Sequence, residues 1–402
     1  MRETCGARSF GREAWSRTDM MRGAPYCCLL LGLLVLVGCA AFRPPIVLSP
    51  EQIEAGQRIG ISQQELRKLL RKPLYKFSPQ ELDRYLGYLQ VVEPSLRLRV
   101  QHLARKAVGQ RYQIYLLGEF PFELYDPDPL FRLDRSDCVV FSEHIYAMSL
   151  AHDWSSFFAL LQRIRYRNGE ISMLTRNHYT EADWDVNNSW LVEDVTEILA
   201  GPHVRRDTVV IDRASFFSRW KIGQEIPPET FVLSWIPYEF VPQILDSLQP
   251  GDFVNVVRGY EGNRWVGHVG LITVAEDGTR NLLHSTSPKV TEEPLLGYVE
   301  KWRRINEQRR AENERIEREN ARRRAENERR LAEARAQGKE AKPKPLLPTK
   351  PLFWGFKFLR LREDALDRLR ELDGKDFPRV TGPRWLWERW QGSGTPKTRE
   401  ER

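Results

Sequence analysis

Cys138 closes a polar stretch, Asp134-Arg135-Ser136-Asp137, and opens an apolar one, Val139-Val140-Phe141, so it falls where a helix begins. A helix N-terminus and an adjacent imidazole both favour a thiolate, the form in which cysteine is a nucleophile. The residues 134–137 offer the cap that such a helix start needs. His268 offers the imidazole. It is the polar position in Trp265-Val-Gly-His-Val-Gly-Leu-Ile-Thr, an alternating, half-buried strand pattern, and Gly267 and Gly270 leave space around its ring. A histidine base needs a third group to orient it and to fix its tautomer. His284, on the next strand, is placed for that by chain order, with Asn281 and Ser285 as alternatives. A nucleophile, a base and an orienter are the parts of nucleophilic catalysis.

The cysteine count sharpens this expectation. Cys5, Cys27, Cys28 and Cys39 all lie in or before an N-terminal apolar segment, which leaves Cys138 as the one thiol of the remaining chain. Residues 20–39 have a short basic start and an apolar run of signal-peptide length, too short for a comfortable membrane span. The run ends in Leu36-Val37-Gly38-Cys39, which resembles the bacterial lipoprotein box; by that resemblance Cys39 is lipidated after cleavage and anchors the chain in a membrane. Ala40 in the next position resembles the outer-membrane sorting pattern and implies a periplasm-facing protein of the cell envelope. A lone thiol in an oxidising compartment forms no internal disulfide and is a liability unless it is used. The chain is 402 residues long, 41% apolar, with a net charge of +7, inflated on both signs by an Arg/Glu-rich block. Export argues against nucleic acid as the partner and for an anionic envelope polymer or a membrane surface.

The elements that must carry these residues are legible in order. After a tether over 40–60 come three helix patterns. Two have serine-led capping boxes at Ser62 and Ser78, and the third runs from Pro94 to about Gly109. The Cys138 helix follows, then another from Ser155 to Tyr166. Residues 168–190 have no period and are dense in Arg, His, Tyr, Trp and Asn, the composition of a binding loop. Strands come next, with Asp277-Gly278 as a hairpin signal and a last strand at 353–361. Helices first and antiparallel strands afterwards make an α+β domain. The expected organisation is a signal and lipobox (1–39), the tether, a catalytic domain (61–298) completed by a strand in 351–363, a charged helical insertion with a Pro-rich connector (299–350), and a basic aromatic tail (364–402). The insertion has Glu–Arg pairs at helical spacing and no sustained apolar heptad. It is read as a solvated helix of roughly 60 Å, with an envelope protein as a possible partner for 299–342.

Asp137-Cys138 at a helix start, Gly251-Asp252 opening a strand, His268-Val-Gly-Leu-Ile and Leu283-His284-Ser-Thr-Ser resemble the NlpC-type cysteine peptidase and amidase superfamily. Asp137-Cys-Val-Val-Phe-Ser-Glu143, Arg165-Tyr-Arg and Arg176-Asn-His-Tyr-Thr-Glu-Ala-Asp-Trp184 with Asn187 resemble its N-acetylmuramoyl-L-alanine amidase branch, over roughly 75–298 and 353–361. The resemblance implies a papain-like core of helices on an antiparallel sheet. It also implies a cofactor-free cysteine hydrolase that cleaves the amide between muramic acid and L-Ala in peptidoglycan or muropeptides. Cys138, His268 and His284 would be catalytic, and Arg176, His178, Tyr179, Asp183, Trp184 and Asn187 would bind substrate, Arg176 on a carboxylate and Tyr179 or Trp184 on a sugar face. The 299–350 insertion and Val139, Val140 and Ser142 depart from the pattern. Rival readings are an endopeptidase of the same fold, a non-catalytic envelope scaffold, and a zinc hydrolase with His178, His268 and His284 as ligands. The last lacks any H-E-x-x-H helix or paired-Cys spacing.

Overall fold

A computed structural model describes residues 46–381, so Cys39, the 20–39 segment and the far end of the tail lie outside the described residues. The chain divides into two compact units, Met1–Val47 and Leu48–Arg402, and the second carries every element below.

Four helices come first: α1 (Pro50–Arg58), α2 (Gln63–Arg71), α3 (Pro79–Val92) and α4 (Leu96–Lys106). Ser49, Ser62, Ser78 and Ser95 each accept the backbone N–H three residues on, which satisfies a donor the helix itself cannot. The expected tether is therefore shorter than 40–60, because 50–58 is a capped helix with Ala55 and Gly56 buried. Two short strands, β1 (Arg111–Tyr112) and β2 (Arg135–Ser136), pair in parallel just ahead of α5 (Cys138–Leu150) and α6 (Trp154–Arg165). Every residue of α5 from Val140 to Leu150 is buried, so this is the central helix of the domain, packed against both helices and sheet.

The sheet has eight strands: β3 (Val192–Asp194), β4 (Arg205–Ile211), β5 (Glu229–Pro237), β6 (Phe253–Tyr260), β7 (Asn263–Val274), β8 (Arg280–Ser285), β9 (Val290–Pro294) and β10 (Leu352–Leu361). Their order is β4-β5-β10-β6-β7-β8-β9, with β3 also on β10, and every pairing is antiparallel. The last strand in sequence is thus a central one, held between β5 and β6. Phe353, Phe356 and Phe358 from it pack with Val254, Val256, Ile272 and Leu282 in one apolar cluster. The expected α+β class holds.

Between β9 and β10 runs a single arm helix of 42 residues, Leu295–Ala336. It starts earlier than the expected 299, because Leu295 and Tyr298 of its first turns belong to the core cluster. Its partner was not expected. The Pro-rich connector folds back along it, and four asparagines one heptad apart each clamp one backbone position of the returning strand. Asn306 brackets Phe353, Asn313 Lys350, Asn320 Leu347 and Asn327 Lys344, each giving its Nδ2–H to the carbonyl and accepting the N–H on Oδ1 at 2.6–2.9 Å. At the near end of the tail, Ala365–Asp373 forms a further helix, tied to α6 by a buried Arg163–Asp373 ion pair.

Candidate active site

Cys138 is the first residue of α5, and Asp137 is its N-cap, accepting the Val140 N–H at 2.8 Å. The segment is pinned to the sheet directly before the thiol. Ser285 Oγ on β8 donates to the Ser136 carbonyl at 2.8 Å, and Ser136 Oγ donates to Gln110 at 2.7 Å. The half-buried thiol meets the backbone N–H of Val269, the residue after His268 on β7. The helix start and the histidine strand, 130 residues apart in sequence, thus meet at the sulfur.

A bulge in β7 delivers the histidine. Val256 of β6 pairs with His268 and Val257 with Val266, so Gly267 is an extra residue on β7. Bulges bend a strand and re-aim the side chain beside them. A Cβ on Gly267 would press on the Arg258 stem at 2.9 Å, and one on Gly270 would come within 3.0 Å of the His284 Cβ. The two glycines therefore make room for the neighbours of His268 rather than for its own ring. His268 Nε2 lies 2.7 Å from His284 Nδ1, and His284 Nε2 lies 3.1 Å from Glu293 Oε1 on β9. Lys301, from the arm helix, reaches both oxygens of that carboxylate at 2.6 and 2.8 Å. Of the candidate orienters, His284 is the one that reaches His268. Asn281 turns to Glu292, and Ser285 to Ser136.

Burial sets the charge state of the pair. It pushes the Cys138 thiol up to about 12, with Asp137 adding to the rise and the N–H groups of Val269 and Val139 opposing it. Burial likewise holds His268 well below 6.5, helped by His284, Arg258 and Lys301. Both shifts favour the uncharged form, a thiol on α5 and a neutral imidazole on the strand that meets it. Uncharged groups of these two kinds can work together by general-base catalysis, the proton leaving sulfur as the nucleophile attacks. Tyr112, Tyr298 and Arg258 complete the surroundings; Arg258 donates to Tyr298 Oη at 3.3 Å, lies 4.2 Å over the Trp302 ring and has no carboxylate partner among the described residues.

The residues expected to bind substrate are engaged mostly with the protein itself. Arg176 spends its guanidinium on Glu119, Asp126 and the Leu117 carbonyl. Trp184 is fully buried and stacks on Phe253 at 4.3 Å, out of reach of a sugar face. Asp183 accepts the Tyr179 N–H and pairs with Arg213 at 2.6 Å. His178 holds the Met173 carbonyl and packs on Phe216 and Phe217; burial, then Arg176, lowers it to about 3. Asn187 donates to Asn177. Tyr179 keeps a partly exposed ring, with Arg213 6.0 Å from its centre. The segment 180–184 is a turn of π-helix, and its Glu181 accepts the Val266 N–H, bracing β7 two residues before His268. Polar and aromatic composition marked this loop, but its partners are the protein's own. His178 also stands apart from the His268–His284 pair, and no group of three His, Cys, Asp or Glu side chains among the described residues is arranged to hold a metal ion.

The family model described as AmiA-like, N-acetylmuramoyl-L-alanine amidase-like, matches residues 102–305, half of the chain, from α4 through the root of the arm helix. The chain belongs to the AmiA-like family. The match takes in Cys138, His268, His284 and Glu293 together. No curated protein matches this AmiA-like chain. Among solved structures, one from Legionella pneumophila str. Philadelphia 1 is similar at a TM-score of 0.52 and 17% identity, over 70% of this chain and 94% of that one, which is a likeness of fold. An N-acetylmuramoyl-L-alanine amidase from Bacteroides uniformis is more distant, with a TM-score of 0.44 and 19% identity over 66% of this chain and 99% of its own.

Proposed function

We propose that this AmiA-like protein is a cysteine hydrolase with a papain-like, NlpC-type core that cleaves the amide between N-acetylmuramic acid and the L-Ala of the stem peptide. One observation carries the reading: the thiol at the start of α5 meets the backbone beside His268, whose Nε2 is already engaged by His284. The Cys138 sulfur attacks the lactyl carbonyl while His268 takes the thiol proton. The same imidazole then protonates the leaving amine of L-Ala, and water hydrolyses the thioester by the reverse sequence. The backbone N–H groups at the start of α5 are suited to the oxyanion. Arg258, the guanidinium without a carboxylate partner near the thiol, suits a stem-peptide carboxylate better than the internally paired Arg176. The lipobox reading of Cys39 places this chemistry at a membrane surface of the bacterial envelope, facing the wall.

The deciding experiment uses one defined disaccharide-pentapeptide and mass spectrometry of its products. The expected products are free disaccharide and intact pentapeptide, with Cys138→Ala losing more than about 1,000-fold in rate while its circular dichroism stays unchanged. Cleavage between stem residues 2 and 3 would show an endopeptidase instead. Turnover that survives thiol alkylation and stops with EDTA would overturn the cysteine mechanism.

A further inference from the structure

We infer that Glu293, steadied by Lys301 of the arm helix, is a positioning residue that fixes the tautomer of His268 through His284. The inference rests on the roles of Cys138 and His268 given above and extends them outward by two groups.

The geometry is a line of hydrogen bonds with one consistent direction. Leu282 pairs with Glu293 across β8 and β9, which makes His284 and Glu293 diagonal neighbours on the same face. Burial opposes a charge on Glu293, but the hydrogen bonds from His284 and Lys301 outweigh it and hold the carboxyl below its usual range. An ionised carboxylate only accepts hydrogen bonds. His284 must therefore donate from Nε2, and a ring with one proton is then an acceptor at Nδ1. His268 must in turn donate from Nε2 to that atom. Its own single proton is thereby placed, and Nδ1 is left as a bare lone pair, the nitrogen still free to serve the thiol. Without Glu293, His284 can carry its proton on Nδ1 instead, which drives the His268 proton onto Nδ1 and removes the base.

The proton accounting closes. On attack, the Cys138 proton passes to His268 Nδ1, and the Nε2–H stays hydrogen-bonded to His284. The new positive charge faces the Glu293 carboxylate across one ring, and no proton moves onto Glu293. The same proton leaves from Nδ1 to the departing amine. The other charged and titratable groups around the line are Asp137 and Cys138 at the start of α5 (its N-cap and first residue), Tyr112 on β1, Arg258 on β6, and Tyr298 and Lys301 on the arm helix. Tyr298 packs edge-on against His284 at 5.7 Å, so the arm root both seats and charges the relay.

The test uses the full chain and two readouts. One is the pH dependence of iodoacetamide alkylation at Cys138, followed by mass spectrometry of the Cys138 peptide; the other is kcat and KM on the defined muropeptide. Glu293→Ala is expected to lower both the alkylation rate at pH 7 and kcat by about tenfold or more, with KM within twofold. Glu293→Gln, which keeps an acceptor oxygen, restores most of the loss, and Lys301→Met falls between wild type and Glu293→Ala. The control is Glu292→Ala, one residue away on β9, whose partners are Arg105, Thr273 and Asn281. It lowers the melting temperature and leaves the alkylation profile in place. An unchanged profile for Glu293→Ala, or equal losses for the two alanine variants, overturns the inference. If the wild type leaves the muropeptide uncut but Cys138 alkylation still follows Glu293, the substrate reading fails and the relay stands.

Discussion

Cys138 and His268 are both held uncharged by burial, and this gives the site an unusual pH signature. A preformed thiolate–imidazolium pair would show its two limbs around neutrality. On the proposed mechanism the base is lost only when His268 is protonated, and His268 lies well below 6.5 because burial, His284, Arg258 and Lys301 all disfavour its cation. The sign follows directly: kcat/KM on the muropeptide stays level as pH falls through 6.5, and the acid limb has its midpoint below that value. A midpoint at or above 6.5 would mean a solvated, unperturbed imidazole. The alkaline side is equally informative. With the thiol pushed up to about 12, alkylation of Cys138 by iodoacetamide keeps rising above pH 8 instead of reaching a plateau.

The arm is an element with two complementary repeats. Seven residues of helix advance about 10.5 Å, and three residues of extended chain advance about 9–10 Å. Asparagines at 306, 313, 320 and 327 therefore keep step with backbone positions 353, 350, 347 and 344. Prolines at 345, 348 and 351 follow three of the clamped positions. A residue before proline is confined to extended backbone, and the proline itself has no N–H to leave unpaired. The clamps differ in value with burial. Asn306 is fully buried at the mouth of β10, so Asn306→Ala orphans the Phe353 N–H and carbonyl and costs about 1–3 kcal/mol in a denaturant melt. Asn313→Ala, near the solvent, costs under about 1 kcal/mol. It shows instead as faster hydrogen exchange at Lys350, with muropeptide turnover unchanged.

At the scale of the whole molecule, the loop 176–187 braces the sheet that carries His268 and His284. Trp184 lies between Tyr146 of α5 and Phe253 of β6, and Asp185 ties Asn255 of β6 and Lys357 of β10 at one point. Trp184→Ala is expected to destabilise the fold by about 3–5 kcal/mol in urea, the cost of emptying a large buried site. Trp184→Phe should recover most of that stability and keep KM for the muropeptide within twofold. A large KM increase with normal stability would return Trp184 to the substrate.

What the sequence alone determined is what local chemistry determines. Serine caps, the Asp-Gly hairpin and the Cys138 helix start are each decided by residues a few positions apart, and all form as expected; β7 forms too, but its second half is buried on both faces from Val269 to Thr273 instead of alternating. The order Cys138, His268, His284 was legible too, because few residue types can act as nucleophile, base and orienter. Tertiary structure alone decided where polar side chains spend their hydrogen bonds. Arg176 and Trp184 have the composition of a binding site and are consumed inside the fold. Glu293 looks like an ordinary strand carboxylate and stands behind His284, and the asparagine heptad means nothing until the proline strand returns to it. A side chain's type states what it can bond to. Its partner, protein or substrate, is set by which distant backbone arrives beside it, and that depends on the packing of the whole chain.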